Sequence, residues 1–348
     1  MTAPHREPML AESEGGGPTD IAHTERPRSI RPGIPLGDLV FRGVSRSAGL
    51  LMLVVMGGIG VFLAIKAAPA FKVYGWNFLV QHQWSSSDVH KVGIASVALG
   101  SLLVALVAIV VSFPLAMLTA LYISEYAPRR LRQTFITVMD LMAAVPSVVY
   151  GLWGFSVLEG AVPFFSRWLQ TYLPFVPIFH VDADPHAAVW EEPMYEKSIF
   201  LCGLTVSLMV IPIACSVMRE VFSQAPPGER EAALALGGTR WGMIRSVVLP
   251  FGRGGIVGGT MLGLGRALGE TIAVSLIISP TFTMSTHIVQ RGGDTISALI
   301  ALQFGDAKGV RLDALMAAGL VLFAITLVVN VIAGFVVARS RSGSATEI

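Results

Sequence analysis

Two side chains of opposite charge interrupt a long apolar stretch in the C-terminal third of the chain. Arg266 and Glu270 are the charged residues of the run from 254 to 279. They are four positions apart, so an unbroken helix would place them on one face, close enough to pair. A guanidinium group has planar N–H donors that suit the oxygens of an oxyanion, with Glu270 holding it in place or modulating its charge. The alternative is a purely structural ion pair.

The surroundings of this pair favour a functional role. An ionisable residue at the centre of a bilayer costs about 2.5–3.5 kcal/mol on insertion scales, so each needs a partner or an aqueous cavity. Small residues at three- and four-residue spacing predict close helix packing around the pair, at a subunit interface or a gate. These residues are Gly254, Gly255, Gly258, Gly259, Gly263, Gly265 and Gly269.

The composition is that of a membrane protein. Hydrophobic residues make up 53% of the 348 and charged residues 14%, against about a quarter charged in soluble domains. The predicted fold class is an all-α polytopic membrane protein with six transmembrane helices. The predicted spans are 47–68, 92–124, 133–158, 198–218, 254–279 and 314–338. Within this framework Arg266 and Glu270 are predicted to line a translocation pathway. A net charge of +2 without a basic stripe excludes a nucleic-acid partner.

Lys and Arg concentrate before the first span, after the second, and between the fourth and fifth. The positive-inside rule makes these segments cytoplasmic and places both termini in the cytoplasm. The predicted organisation is a disordered cytoplasmic tail (1–45), a first helix with an external loop (46–91), a transmembrane domain (92–340) and a C-terminal tail (341–348). The transmembrane domain is expected to contain an external loop at 159–197 and a cytoplasmic loop at 223–250.

The cytoplasmic loop carries a spaced motif. Glu231, Ala232 and Ala233 are followed by Gly237 and, nine residues later, by Val247-Val248-Leu249-Pro250. This resembles the coupling-loop pattern of ABC importer permeases, with Val247 where that pattern prefers Ile. Residues 231–236 are good helix formers and Gly237 can end a helix. The resemblance implies that Glu231, Ala232, Ala233, Gly237, Leu249 and Pro250 couple this chain to a separate ATPase.

The sequence has no Gly-rich loop ending in Gly-Lys-Ser or Gly-Lys-Thr that would hold ATP phosphates. We therefore expect no enzymatic activity and no cofactor on this chain, with ATP and Mg bound by the partner. Cys202 and Cys215 lie in one apolar run without acidic or His neighbours at ligand spacing, which predicts buried thiols and no metal site.

Further segments are similar to one family, the phosphate-specific ABC transporter permeases of the PstC type. They are ISEYAPRRLR at 123–132, MAAVPSVVYGLWG at 142–154 and GRALGETIAVSLI at 265–277. The resemblance extends from about 90 to 338. It implies a MetI-like fold in the cell membrane and import of inorganic phosphate. The implied partners are a PstA-type permease, a PstB-type ATPase dimer and an extracytoplasmic PstS-type phosphate-binding protein.

Several alternatives stay open from the sequence. A permease of the same architecture could import sulfate or molybdate, and a proton-coupled carrier or channel could use Arg266 and Glu270 without ATP. A sensory role could coexist with transport.

Other polar and aromatic residues are weaker candidates for function. Asp140 is interpreted mainly as an interfacial or helix-bonded carboxylate. The group of His287, Arg291 and Asp294 is interpreted mainly as solvated loop residues. The aromatic residues of the 159–197 segment suit either docking of a binding protein or anchoring to lipid headgroups. They are Phe164, Phe165, Trp168, Tyr172, Trp190 and Tyr195.

Overall fold

The computed structural model describes residues 36–84, 92–181, 194–282 and 284–340. This part of the chain is helical and contains isolated bridges but no strand. The helices are α1 Leu36–Tyr74, α2 Asn77–Val80, α3 Ala95–Leu121, α4 Arg129–Ala144, α5 Ser147–Trp153, α6 Glu159–Tyr172, α7 Ile199–Ser223, α8 Pro227–Ala235, α9 Arg240–Met243, α10 Leu249–Gly269, α11 Ile272–Ile277, α12 Ile296–Gln303 and α13 Val310–Ser340. A short 3₁₀ helix covers Pro177–Phe179.

The chain divides into two compact units, Met1–Val55 and Met56–Ile348. In the first unit the described residues form the N-terminal part of α1. This helix begins at Leu36, inside the segment predicted as a disordered tail to residue 45, with Asp38 in its first turn. Residues 1–35 and the predicted C-terminal tail, 341–348, lie outside the described residues.

Six helical stretches in the described residues are long and apolar enough to span a membrane, which confirms the predicted fold class. They are Gly37–Tyr74, Ala95–Tyr126, Ser147–Tyr172, Ile199–Ser223, Arg240–Gly269 and Val310–Arg339. The second, fourth and sixth agree closely with the predicted spans.

The third span differs from its prediction of 133–158. Val145 and the following Pro146 have extended backbones, with ψ of 130° and 143°, and separate α4 from α5. The residue before a proline is disfavoured in the helical region, and Pro146 itself has no N–H to donate. The span therefore begins at Ser147 and continues through α6. The segment predicted as an external loop from 159 is helical as far as Tyr172.

The fifth span also differs, because its helix runs from Arg240 to Gly269 instead of 254–279. Glu270 has an extended backbone (φ −68°, ψ 121°) that ends α10, and the short helix α11 follows. The predicted cytoplasmic loop at 223–250 thus consists of α8, a turn, and the first part of this long helix.

Three of the long helices contain a π-helical turn within the described residues. These turns are Tyr122–Tyr126 after α3, Gly154–Leu158 between α5 and α6, and Ile244–Val248 between α9 and α10. A π turn accommodates one additional residue without ending the helix. In the last case Pro250 has no N–H for the carbonyl of Ser246, which lies in the turn.

The core of the second unit forms around α7, whose most apolar window is 72% buried, against 6% for α13. Helix α7 packs on α3 and α10. The contact with α10 depends on glycines, because a Cβ added at Gly255 would lie 2.5 Å from Cβ of Val221, and one at Gly263 would lie 2.5 Å from Val210. A Cβ at Gly258 would meet nothing within 4 Å. One face of α10 is therefore closely packed and another is open.

We expect Gly255→Ala to lower the thermal stability of the protein in detergent, because overpacking at a rigid contact costs about 1–3 kcal/mol. Gly258→Ala on the same helix is the matched control. It should leave the melting temperature unchanged or raise it slightly, since Ala favours a helix over Gly by about 1 kcal/mol. Equal melting temperatures for the two variants would contradict the assigned packing of α10 on α7.

Candidate functional site

Arg266 lies in the last turn of α10. Its Nε is buried and has no hydrogen-bond partner in the described part of the chain. The guanidinium is near enough to Tyr150 of α5 to act on it electrostatically, and the adjacent Gly265 lies close to the side chain of Asn330 on α13. Leaving a buried charged donor unpaired is costly. The guanidinium therefore retains donor capacity that an anionic ligand could use.

The predicted pairing of Arg266 with Glu270 is wrong. No ion pair joins the two side chains, and within the described ranges the salt bridge that forms is between Arg230 and Glu125. Glu270 is only 8% exposed, and its Oε1 accepts a hydrogen bond from the N–H of Ala273 at 3.3 Å. The prediction assumed an unbroken helix, whereas the end of α10 at Gly269 removes the four-residue relation.

The short helices that follow the two breaks, α5 and α11, meet beside Arg266. A Cβ at Gly151 of α5 would lie 2.8 Å from Cα of Ala273 in α11, so these short helices are in close contact. At each break a side-chain hydroxyl donates to a backbone carbonyl. Tyr150 Oη donates to the carbonyl of Met142 at 2.9 Å, and Ser297 Oγ donates to the carbonyl of Glu270 at 2.8 Å. The break after α4 precedes the third span, which begins at Ser147, and the break after α10 follows the fifth span, which ends at Gly269. Tyr150, just after the first break, lies near Arg266, and Arg266 lies in the last helical turn before the second break.

The coupling-motif residues form an exposed helix and turn, as predicted. Glu231 and Ala232 are exposed on α8, and Gly237 follows the helix with φ +83°. The N–H groups of Gly237 and Gly238 donate to the carbonyls of Leu234 (3.0 Å) and Ala233 (3.2 Å). This closes the helix in the manner of a glycine C-cap. Leu249 and Pro250 begin α10, so one chain segment leads from α8 to Arg266.

Three large apolar side chains on this segment are exposed: Leu234 at 42%, Leu236 at 89% and Trp241 at 56%. Leu234 lies near the end of α8, Leu236 lies in the turn before Gly237, and Trp241 lies at the start of the fifth span. Large exposed apolar side chains close together in sequence are compatible with a protein-binding surface.

Asp294 is buried, whereas the sequence predicted a solvated loop residue. It is only 4% exposed, and its Oδ2 accepts a hydrogen bond from the N–H of Phe282 at 2.7 Å. Its backbone carbonyl also lies against Gly100 of α3, where a Cβ would come within 2.0 Å. Burial raises the pKa of Asp294 to about 7, although hydrogen bonds from the N–H groups of Phe282 and Thr281 oppose the rise.

The remaining candidate residues differ in their exposure and in their contacts. Arg291 and Asp140 are exposed, and His287 is half-buried, with its Nδ1 3.1 Å from Oε1 of Gln290. Phe164, Phe165, Trp168 and Tyr172 lie on α6, where the rings of Phe165 and Trp168 stack with centroids 5.7 Å apart. Tyr195 is buried and donates to Oε1 of Gln170 at 2.6 Å, and Trp190 lies outside the described residues. Cys202 and Cys215 are buried free thiols, and no metal-binding group of His, Cys, Asp and Glu occurs in the described ranges.

The fold and this site define a helical membrane permease, and comparison with known proteins agrees. The family model described as "Binding-protein-dependent transport system inner membrane component" matches residues 112–342. In a bacterial ABC transporter involved in the import of the acidic polysaccharide alginate, one chain superimposes with a TM-score of 0.51. It is 20% identical, and the match covers 88% of this chain and 99% of that chain. At this low identity, the structural similarity supports the fold alone.

Curated relatives agree with the family model. The phosphate transport system permease protein PstC 2 of Mycobacterium tuberculosis is 35% identical over 84% of this chain and 90% of the relative. The PstC protein of Mesorhizobium japonicum is 33% identical over 89% and 93%, respectively. The chain therefore belongs to the binding-protein-dependent transport inner-membrane components and, within them, to the PstC permeases.

The raised pKa of Asp294 predicts a pH-dependent stability. Between about pH 4 and pH 7 the unfolded chain ionises this carboxyl while the folded protein keeps it protonated, so its contribution to stability falls as pH rises. Asp294→Asn removes this contribution. The melting temperature of the variant relative to wild type should therefore rise across this range and stay constant at higher pH. A difference in melting temperature between variant and wild type that is the same at every pH would contradict the burial of this carboxyl.

Proposed function

We propose that this chain is a permease subunit of an ATP-driven importer for inorganic phosphate in the cell membrane. The observation that carries the proposal is the one-third identity, over most of both chains, to proteins named as phosphate transport permeases. The described residues add a buried guanidinium nitrogen without a partner beside two interrupted helices. A tetrahedral oxyanion would supply acceptors for these donors.

In this proposal Arg266 binds the anion in the translocation pathway and Glu270 positions the site. Because Glu270 accepts a hydrogen bond from the N-terminal turn of α11, it holds the interruption after α10 in a fixed form. It also leaves Arg266 free of an internal counter-charge, so the transported anion is the partner of the guanidinium. This role for Glu270 replaces the direct pairing expected from its spacing.

Coupling is assigned to the surface around α8. The exposed side chains of Leu234, Leu236 and Trp241 suit a cleft on a soluble partner, and the glycine-capped turn fixes their arrangement. That partner is an ATPase dimer of the PstB type, which binds ATP and Mg. A PstA-type permease covers the open face of α10, and a PstS-type binding protein delivers phosphate from outside. With the coupling surface inside, both termini are cytoplasmic, and transport proceeds by alternating access of the two-permease pore.

We expect Arg266→Ala to abolish phosphate import while the complex still assembles. Each hydrogen bond to a charged group contributes about 1.5–3 kcal/mol, and the variant loses all those from the guanidinium. The assay is uptake of radiolabelled phosphate by phosphate-starved cells that lack the native gene. Arg253→Ala is the control, because Arg253 is an exposed arginine on the same helix. Normal uptake by an assembled Arg266→Ala complex would defeat the assignment.

A second variant tests the coupling turn. We expect Gly237→Asp to stop phosphate uptake, because the added carboxylate alters the docking surface and a φ of +83° favours glycine over a residue with a Cβ. Gly228→Asp introduces the same side chain in the first turn of α8, where a Cβ meets nothing within 4 Å, so uptake should persist. Uptake that survives Gly237→Asp would favour an ATP-independent carrier.

The same uptake assay distinguishes the oxyanions. Phosphate uptake restored by wild type and unaffected by excess sulfate or molybdate supports the proposed substrate. Competition by either anion, or no rescue of phosphate uptake, would reject it in favour of the competing oxyanion within the same architecture.

A further inference from the structure

An ion pair outside the site joins the coupling helix to the ends of two spanning helices. Arg230 lies on α8, and its Nη1 is 3.2 Å from Oε1 and 3.4 Å from Oε2 of Glu125. Glu125 belongs to the π turn that follows α3. The Nη2 of the same guanidinium donates to the carbonyl of Phe222, near the C-terminus of α7. One side chain thus contacts both α7 and the extension of α3.

This contact is enclosed by protein. The Glu125 side chain is 5% exposed and that of Arg230 is 22% exposed. Ser124 Oγ donates a further hydrogen bond to Oε1 of Glu125 at 2.7 Å. Removal of either partner leaves a charge in an enclosed position without compensation, so the pair resists separation.

The contacts of α8 show why this pair is important for its position. Helix α8 has no fully buried side chain in the described structure. Its apolar residues are small or face outward, whereas the Arg230 guanidinium inserts towards the completely buried Phe222. The ring of Phe222 also lies against Gly252, where a Cβ on α10 would be within 2.5 Å. Arg230 therefore holds α8 where α7, α10 and the extension of α3 converge.

We propose that Arg230 and Glu125 form a clamp that makes α8 move as one body with the ends of α3 and α7. The clamp transmits displacement of the coupling helix into the helices that pack against α10 and so towards Arg266. Both are positioning residues that act through the helices they join and do not contact the transported anion. The inference rests on the proposed coupling of this chain to an ATPase.

The test uses the complete transporter in proteoliposomes and measures phosphate imported per ATP hydrolysed. We expect Glu125→Gln and Arg230→Gln to retain ATP hydrolysis and to lower this ratio about tenfold, within the range by which residues in a coupling network act. Arg230→Lys keeps the charge but offers one nitrogen to two partners, so an intermediate ratio is expected. Glu220→Gln makes the same chemical change at an exposed site on α7 and should behave as wild type. An unchanged ratio in Glu125→Gln and Arg230→Gln would overturn the clamp.

A distance measurement tests the clamp independently of which substrate is transported. Spin labels at Gly228→Cys on α8 and Leu118→Cys on α3 report the separation of the two helices without reference to transport. We expect one narrow distance in the presence and absence of ATP for wild type, and a broadened distribution in Glu125→Gln. A distribution that Glu125→Gln leaves unchanged would overturn the clamp. Failure of wild type to import phosphate would reject the substrate and leave this distance test intact.

Discussion

A bilayer offers the backbone no hydrogen-bonding partner, and this constraint governs the candidate site. The two helix breaks beside the site lie at the start of the third span, Ser147, and at the end of the fifth, Gly269, and the protein supplies hydrogen bonds at both. After α4, Pro146 has no N–H to satisfy, and the Tyr150 hydroxyl occupies the carbonyl of Met142. After α10, Glu270 accepts from the N–H of Ala273, and Ser297 donates to the carbonyl of Glu270. Beside these breaks, the Nε of Arg266 is buried without a hydrogen-bond partner in the described residues.

Arg230 and Arg266 differ in the partners of their guanidinium groups, although the Nε of each is buried without a hydrogen-bond partner in the described residues. The Nη atoms of Arg230 contact the carboxylate of Glu125 and the carbonyl of Phe222, which fixes three segments relative to one another. Arg266 forms no ion pair with a described carboxylate and lies near Tyr150. A guanidinium held by such contacts contributes to rigidity, and one without a counter-charge can bind an anion. The helix α10 and its close packing on α7 link the two positions physically.

Much of this arrangement follows from local sequence. Long apolar runs with few charges predicted six spans, and the helix formers before Gly237 predicted the short helix with its glycine cap. The pairing of Arg266 with Glu270 failed because the four-residue relation assumes a continuous helix. Gly269, where α10 ends, was interpreted as a packing residue and not as a helix end. Proline could have located the corresponding break before α5. The burial of Asp294 depends on the distant Gly100, and the clamp joins residues 105 positions apart. Periodicity within one segment carries no information on such contacts.

The π turn at Ile244–Val248 has a consequence for how Arg266 is aimed. It lies in the same long helix, between the segment anchored through α8 and the guanidinium. Each residue of an α-helix turns the side-chain direction by about 100°, since there are 3.6 residues per turn. The extra residue in the π turn therefore sets the azimuth at which Arg266 leaves the helix axis. Loss of one residue there would keep the length and composition of the helix nearly intact and point the guanidinium at a different neighbour.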